Sequence, residues 1–434
     1  MKLLLHHLTA ILLLLCTNAK AQDSDTALYN LLSNEPEILS IERLQTDRFV
    51  EKYNLSVQQE VDWASKSAGK YGERVILCFK GFDRPTLIVT EGYFAHYGLN
   101  PRYEEEISRM FDTNILLCEY RYFGESLPRD SSWQYLTVDN SLSDLHHVRE
   151  IFGNFFTGKW ISAGISKGGQ TTMFYRATYP NDVDVSVSYV APLNKNVEDG
   201  RHEPFLDKLV GTEEERESIR NAQIQILKRK NKLMPLFIKH VQKNNYTYKA
   251  SMSEIYDYCV LELPFAFWQW GTPLTTIPSA NASDKEWFSF FMKISEGDYF
   301  SSPSAFTPFF VQAARELGYY GYSTKGLKKI LGIRSPKNYL RRLMLPDNAT
   351  HIKFDKGLYK RTVKYLKNQD PKHIFIYGEV DPWSSSGVAG WLDCSKKHNM
   401  RVYVQPQGSH KARIGNMPEK MRDEIINRLT EWLK

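Results

Sequence analysis

The stretch that decides the fold is KWISAGISKGG, residues 159–169. Its first five residues predict a short buried strand, and 169–179 carry the pattern of a helix. Between the two, Gly164, Ser166 and Gly168 fit the pattern G-x-S-x-G, with glycines where a strained turn leaves no room for side chains. A strand, this turn and a helix form a nucleophile elbow, which exposes a serine hydroxyl at the end of a sheet. The stretch therefore predicts that Ser166 is a nucleophile.

Strand and helix patterns alternate on both sides of this turn. Apolar, β-rich runs predict further strands at 74–80, 86–90, 114–119, 183–190, 373–377 and 400–404, and helical patterns cover 101–111, 141–152 and 418–433. Such alternation is typical of an α/β fold with a mostly parallel sheet and helices on both faces.

The middle of the chain has a different character. Residues 213–234 are charged and helical, and Pro235 is expected to end that helix. Residues 264–322 hold 16 aromatic side chains in 59 positions, which suits both the core of a helical cap and the wall of a pocket for apolar or proline-bearing peptides. We therefore expect an α/β core in two parts, 22–194 and 346–434, interrupted by a mostly helical, aromatic-rich cap at 195–345.

The first 21 residues predict a secretory signal peptide. Lys2 precedes an apolar run that is too short to span a bilayer, and Ala19 and Ala21 are the small residues expected before a cleavage site. The prediction is a secreted or periplasmic protein with no stable membrane association. An uncleaved anchor and a lipoprotein modified at Cys16 are the alternatives.

Composition narrows the class of protein. The formal charge of +6 is small for 434 residues and spread along the chain, so nucleic acid is not an expected partner. Five cysteines are too few for a disulfide scaffold, and their spacing matches no zinc site. A bridge between Cys259 and Cys394 stays open at this point. We expect neither a metal nor a cofactor.

A serine hydroxyl needs a base within hydrogen-bond reach, and the base needs an orienting acid. In a fold with this elbow, the partners follow along the chain in the order serine, acid, histidine. Asp381 comes in a turn after the predicted strand 373–377, and His410 follows the strand 400–404. The sequence therefore predicts the catalytic residues Ser166, Asp381 and His410.

Several segments resemble the secreted tripeptidyl aminopeptidase family of serine peptidases, which has the α/β-hydrolase fold. They are 90–93 (TEGY), 119–126 (EYRYFGES), 162–169 (SAGISKGG), 188–192 (SYVAP) and 378–383 (GEVDPW). The last of them is also similar to the Pro-Xaa carboxypeptidase and dipeptidyl peptidase relatives. The resemblance implies an exopeptidase that releases tripeptides from free N-termini of peptide substrates, with the same three catalytic residues.

The loop after the strand 86–90 is expected to complete the site. The backbone N–H groups of Lys167 and of Gly92 or Tyr93 are the predicted oxyanion hole. An aminopeptidase must also recognise a free ammonium group, for which Glu91 and Glu125 are candidates. The alternative is that these carboxylates are structural and pair with Arg121 or another base.

Two other functions use the same residues. An esterase or lipase would share the three catalytic residues, although the sequence lacks the HGGG-type oxyanion segment of such enzymes. A non-catalytic α/β-hydrolase acting as a binding module is the third alternative, and such a protein would be expected to lose a catalytic residue.

Overall fold

A nine-stranded sheet lies at the centre of the protein, as seen in a computed structural model that describes residues 26–129 and 132–434. The strands are β1 (Ile38–Arg43), β2 (Glu51–Glu60), β3 (Lys70–Phe79), β4 (Thr86–Thr90), β5 (Asn114–Cys118), β6 (Trp160–Ile165), β7 (Val185–Tyr189), β8 (His373–Gly378) and β9 (Arg401–Gln405). The predicted signal peptide and Cys16 lie outside the described residues.

The strands are arranged in the order β1-β2-β3-β5-β4-β6-β7-β8-β9. β1, β2, β3 and β5 pair antiparallel in succession, and every pairing from β5 to β9 is parallel. The carboxyl ends of the parallel strands therefore meet at one edge of the sheet, where ligands bind in open α/β sheets.

Twelve helices accompany the strands in the described part of the chain. They are α1 (Ala27–Asn34), α2 (Glu106–Phe111), α3 (Val138–Gly153), α4 (Lys167–Thr178), α5 (His202–Pro204), α6 (Glu213–Lys228), α7 (Lys230–Lys243), α8 (Met252–Gln269), α9 (Asp284–Ile294), α10 (Thr307–Gln312), α11 (Gly357–Asn368) and α12 (Glu419–Leu433). Polar caps define several starts; for example, Thr137 accepts a hydrogen bond from Asn140 N at the beginning of α3.

Helices cover both faces of the sheet, as predicted. Alternate residues of a strand point to opposite faces, so Val75 and Leu77 of β3 pack with α1, α3, α4 and α11, whereas Ile76 and Cys78 pack with α2 and α12. The mostly parallel sheet between two helical layers is the α/β-hydrolase fold.

Helices α5–α10 lie in the segment between β7 and β8. Their apolar side chains form one hydrophobic cluster that also includes Tyr120, Phe123 and Trp383 from loops at the carboxyl edge of the sheet. The helical segment is thus packed directly against the edge at which the predicted catalytic residues lie.

The structure differs from the sequence prediction at two helices. The helix predicted at 101–111 begins only at Glu106. Pro235 does not end a helix: α6 stops at Lys228, and Pro235 lies inside α7. The cost of the missing N–H is offset because Leu233, Phe237 and Val241 bury one face of α7 in the hydrophobic cluster.

Two further features bear on the sequence prediction. Cys259 and Cys394 are both free, so no bridge joins them. Within the described ranges, no helix combines the length and apolar character needed to cross a membrane.

Candidate active site

Ser166 occupies a strained turn between β6 and α4. Its φ of 59° and ψ of −117° are unusual for a residue other than glycine. Hydrogen bonds fix the turn on both sides, because Ser166 N donates to Tyr189 O at 2.8 Å and Gln170 N donates to Ser166 O at 2.9 Å. The strand, turn and helix predicted around this residue are therefore present.

Glycines allow three backbones to pass close together at this turn. A Cβ at Gly164 would lie 2.4 Å from the backbone of Gly168 and 2.7 Å from Thr90 O. A Cβ at Gly168 would lie 2.6 Å from the same carbonyl oxygen. Any side chain at either position would push α4 away from β4 and β6.

We expect Gly164→Ala to lower the free energy of unfolding by about 1–3 kcal/mol, because the methyl group meets backbone that has little freedom to move. Urea denaturation would measure the change. Gly200→Ala is the matched control, since no atom lies within 4 Å of its added Cβ, and we expect a change of less than about 0.5 kcal/mol. Equal stability of the two variants would contradict the close packing described here.

Asp381 and His410 are in direct contact. Asp381 follows β8 and is fully buried, His410 follows β9, and the distance from Asp381 Oδ2 to His410 Nδ1 is 2.7 Å. The second carboxylate oxygen accepts a hydrogen bond from Trp383 N. The carboxylate thus contacts the ring nitrogen that an orienting acid would contact.

The helical segment also positions His410. His410 N donates to Gln269 O at 2.9 Å, and Gln269 is the last residue of α8. Carbonyl groups in the last turn of a helix have no partner within the helix, so this one is available to the loop. The ring of Trp270 lies edge-on to the imidazole, at 6.0 Å between centroids.

Ser166 faces a cavity of about 550 Å³ between the sheet edge and the helical segment. Trp270, which contacts His410, and Trp383, which follows Asp381, line the same cavity. No hydrogen bond joins the Ser166 hydroxyl to His410 within the described residues. In enzymes of this kind such bonds are often long without substrate and shorten when it binds.

The predicted oxyanion loop carries its own acceptor. Glu91 Oε1 accepts hydrogen bonds from the backbone N–H groups of Gly92 and Tyr93, at 2.8 and 3.1 Å. Glu91 Oε2 accepts another from the hydroxyl of Tyr97. The two predicted donors are therefore occupied in this structure, whereas Lys167 stands at the first position of α4, where an N–H group has no partner within the helix.

Lys167 has a side-chain role that the sequence did not indicate. Its ammonium group is buried and donates to Gly92 O, and it lies 3.3 Å from the centroid of the Tyr120 ring, beside Tyr93 and Phe123. Burial lowers the pKa of Lys167 well below its usual value. The side chain thus fastens the loop that carries Gly92 to the turn that carries Ser166.

Aromatic and acidic side chains make up much of the cavity wall. The rings are those of Tyr93, Trp270, Tyr299, Phe300, Phe309, Tyr319, Tyr320 and Trp383, and the acids are Glu262, Glu296 and Asp298. Other rings of 264–322, such as Trp287 and Phe291, are buried in the hydrophobic cluster instead. The aromatic-rich stretch therefore contributes to both the core of the helical segment and the cavity.

Glu262 is the buried acid of this cavity. Its carboxylate accepts hydrogen bonds from the hydroxyls of Tyr320, at 2.9 and 3.0 Å, and Tyr322, at 2.7 Å. Burial raises the pKa of Glu262 to about 7. The sequence feature that indicates it is a single acid within the apolar run 258–268 of α8.

The two predicted carboxylates lie elsewhere. Glu91 borders a smaller cavity of about 150 Å³ beside β4 and α2, and Glu125 is 72% exposed and pairs with Arg74. Neither residue lines the cavity that contains Ser166. Arg121, the suggested partner, binds Asp144 instead. In the described ranges, no group of three or more His, Cys, Asp and Glu side chains is arranged to hold a metal ion.

The chain is similar to known peptidases. The family described as PS-10 peptidase S37 matches residues 29–433. A prolyl tri/tetrapeptidyl aminopeptidase of Streptomyces mobaraensis is 29% identical over 388 residues, which cover 87% of this chain and 79% of that protein. The match thus includes Ser166, Asp381, His410 and the helical segment between β7 and β8.

Solved structures with the same general fold are more distant. A proline iminopeptidase of Mycobacterium smegmatis is 12% identical with a TM-score of 0.38, covering 91% of this chain and 98% of that one. A peroxisomal α/β-hydrolase of Saccharomyces cerevisiae is 13% identical with a TM-score of 0.41, covering 89% and 90%. Both TM-scores lie below 0.5.

Proposed function

Because the chain belongs to the peptidase S37 family and is a serine peptidase, we propose that it releases tripeptides and tetrapeptides from free N-termini of peptides, with a preference for cleavage after proline. The observation that carries this proposal is the similarity to the Streptomyces mobaraensis aminopeptidase across most of both chains. The cavity at Ser166 has the size of a small-ligand site, about 300–1,000 Å³. Its aromatic walls suit the flat, apolar ring of proline.

In the proposed mechanism, Ser166 Oγ attacks the scissile carbonyl carbon while His410 Nε2 takes the hydroxyl proton. The C–N bond then breaks, and His410 returns the proton to the leaving amine, which gives an ester between Ser166 and the released fragment. Water hydrolyses this ester by the same proton transfers in reverse. Asp381 holds the imidazole through Nδ1 and stabilises its charged form.

The backbone N–H of Lys167 is the proposed first donor to the developing oxyanion, since it lies directly after the nucleophile. The second donor is Gly92 or Tyr93. In the resting state both N–H groups donate to the Glu91 carboxylate. These hydrogen bonds must therefore be released or shared when the oxyanion forms.

The proposal includes two wider features of the chain. Residues 195–345 are proposed to act as a cap that admits the end of a peptide and excludes folded chains, which supports exopeptidase action. Residues 1–21 are proposed to direct export to the periplasm or cell exterior and to be removed after Ala21.

We expect digestion of a mixed peptide library to release N-terminal fragments of three and four residues, enriched in proline at their last position, as read by mass spectrometry. Assays of alanyl-alanyl-prolyl p-nitroanilide and p-nitrophenyl butyrate, run in parallel, provide the comparison. Much faster hydrolysis of the ester would establish an esterase instead. Cleavage at internal bonds would contradict the exopeptidase proposal, and failure of folded protein to react with a fluorophosphonate probe would favour a non-catalytic module.

A further inference from the structure

Glu262 is a buried acid in the wall of the cavity that contains Ser166. It lies on α8 and lines the cavity that contains Ser166, and only 8% of its surface is exposed. A carboxylate buried to this extent is costly unless it is hydrogen-bonded and its charge is balanced. Glu262 has such hydrogen bonds, but it forms no ion pair with any residue that the structure describes.

The hydrogen bonds leave acceptor capacity unused. A carboxylate offers about four lone-pair positions. The donors to Glu262 are the hydroxyls of Tyr320 and Tyr322, which have one hydrogen each. The carboxylate is therefore held in a fixed orientation and can still accept hydrogen bonds from a ligand in the cavity.

Among the described residues that line this cavity, acids outnumber bases. Among the described residues, no lysine, arginine or histidine forms an ion pair with it, whereas Glu296 on the same cavity wall pairs with His240 at 3.3 Å. Asp298 is a further acid on this wall, and Lys293 is its one base. The raised pKa of Glu262 has burial as its main cause and Asp298 as an additional one. A cation bound here would offset both.

We infer that Glu262 binds the α-ammonium group of the substrate's N-terminal residue. This inference rests on the proposed aminopeptidase function and assigns a recognition role to a residue outside the predicted set. An ammonium group donates three hydrogen bonds and carries the positive charge that would balance the Glu262 carboxylate. Glu91 and Glu125 do not compete for this role, since neither lines the cavity: Glu91 accepts from Gly92 N, and Glu125 pairs with Arg74.

The position of Glu262 on α8 also matches the length of the shorter proposed product, a tripeptide. Glu262 and Gln269 are seven residues apart, so they lie two turns apart on the same face of the helix. Their separation along the axis is about 10 Å at 1.5 Å per residue. Three residues of an extended peptide span about 10 Å as well. A peptide whose ammonium group binds Glu262 and that runs along α8 would therefore have its third residue near Gln269, whose carbonyl oxygen accepts from His410 N.

The test compares two substrates that differ only at the amino group: alanyl-alanyl-prolyl p-nitroanilide and its N-acetyl derivative. Wild-type enzyme is expected to prefer the free amine, as measured by the ratio of the two kcat/KM values. Glu262→Gln keeps the size of the side chain and removes its charge. We expect it to lower kcat/KM for the free amine about 10- to 100-fold and to leave the acetylated substrate within about threefold.

Product length gives a second readout. With the mixed peptide library, Glu262→Gln is expected to release N-terminal fragments of less uniform length, because the ammonium group no longer fixes the register. A purely structural role for Glu262, which would hold Tyr320 and Tyr322, predicts equal losses for both substrates and an unchanged length distribution. That result would overturn the inference.

Control variants separate this inference from the function on which it rests. Glu125→Gln makes the same chemical change outside the cavity and is expected to leave the substrate ratio unchanged. Should Glu91→Gln or Glu125→Gln remove the preference for the free amine while Glu262→Gln retains it, the inference is wrong and the sequence prediction is correct.

Tyr322→Phe provides a second test if Glu262→Gln does not fold. It removes one donor that orients Glu262 and is expected to lower the ratio by a smaller factor. Release of tripeptides by all variants with an unchanged ratio would overturn the ammonium site and leave the proposed function intact, whereas no release by wild-type enzyme would refute both.

Discussion

Replacing Ser166 by alanine is expected to lower kcat for alanyl-alanyl-prolyl p-nitroanilide by roughly 10⁴- to 10⁶-fold. The reason is that the proposed reaction proceeds through an ester to this hydroxyl, and the remaining groups stabilise the transition state without supplying a nucleophile. The strained φ of Ser166 is compatible with the smaller side chain, so the fold should be retained. Active-site titration and single-turnover kinetics would exclude contamination by wild-type enzyme.

A fluorophosphonate probe gives an independent check on the same residue. Wild-type protein should be labelled at Ser166, and Ser166→Ala should not be labelled. Ser218→Ala, on the exposed surface of α6, is the control and is expected to retain labelling and activity. Hydrolysis by Ser166→Ala within tenfold of the wild-type rate would remove this serine from the mechanism.

Asp381→Asn is the second change with a large expected effect, a loss in kcat on the order of 10⁴-fold. An amide at this position can donate to Nδ1, which favours the imidazole tautomer with its proton on Nε2, where the base must be free. It also removes the charge that stabilises the imidazolium. KM should change much less, because Asp381 is fully buried behind His410.

The chain contains a matched control for this change. Asp393, like Asp381, begins a short helical turn by accepting a hydrogen bond from the backbone two residues ahead, but it is exposed. Asparagine caps helices about as well as aspartate, so neither variant should lose this local contact. Asp393→Asn is expected to keep full activity. A similar loss in both variants would indicate a general effect on folding.

Local patterns in the sequence were sufficient to predict the parallel strands and the loop positions of Asp381 and His410 at the edge of the sheet. The strand at Thr86–Thr90 was predicted at its observed bounds, and the loop positions of Asp381 and His410 followed from the strands before them. These predictions succeeded because strands buried on both faces are continuous apolar runs, and because parallel strands bring their carboxyl ends to one edge.

The strands β1 and β2 were not predicted. For β2 the reason is that contacts with residues far away in the sequence stabilise it. β2 reads EKYNLSVQQE, a polar run, yet its first and last residues are buried. The ammonium group of Lys52, for example, donates to Asn100 O, 48 residues away. A contact of this kind satisfies a buried charge without leaving any local pattern.

The same limit applies to the inner surface of the cavity. The sequence predicted ammonium recognition at Glu91 and Glu125, which follow strands that end at the sheet edge, whereas folding brings Glu262 of α8 into the cavity that contains Ser166. Likewise, the sequence favoured a backbone role for Lys167, because the acceptor of its side chain, Gly92 O, lies 75 positions earlier. Which carboxylates share a cavity is a property of the packing.

The hydrogen bond from His410 N to Gln269 O couples the position of His410 to that of the helical segment. A displacement of the last turn of α8 would therefore also displace the backbone that carries the imidazole. The alignment of the proposed base thus depends on the position of the helical segment.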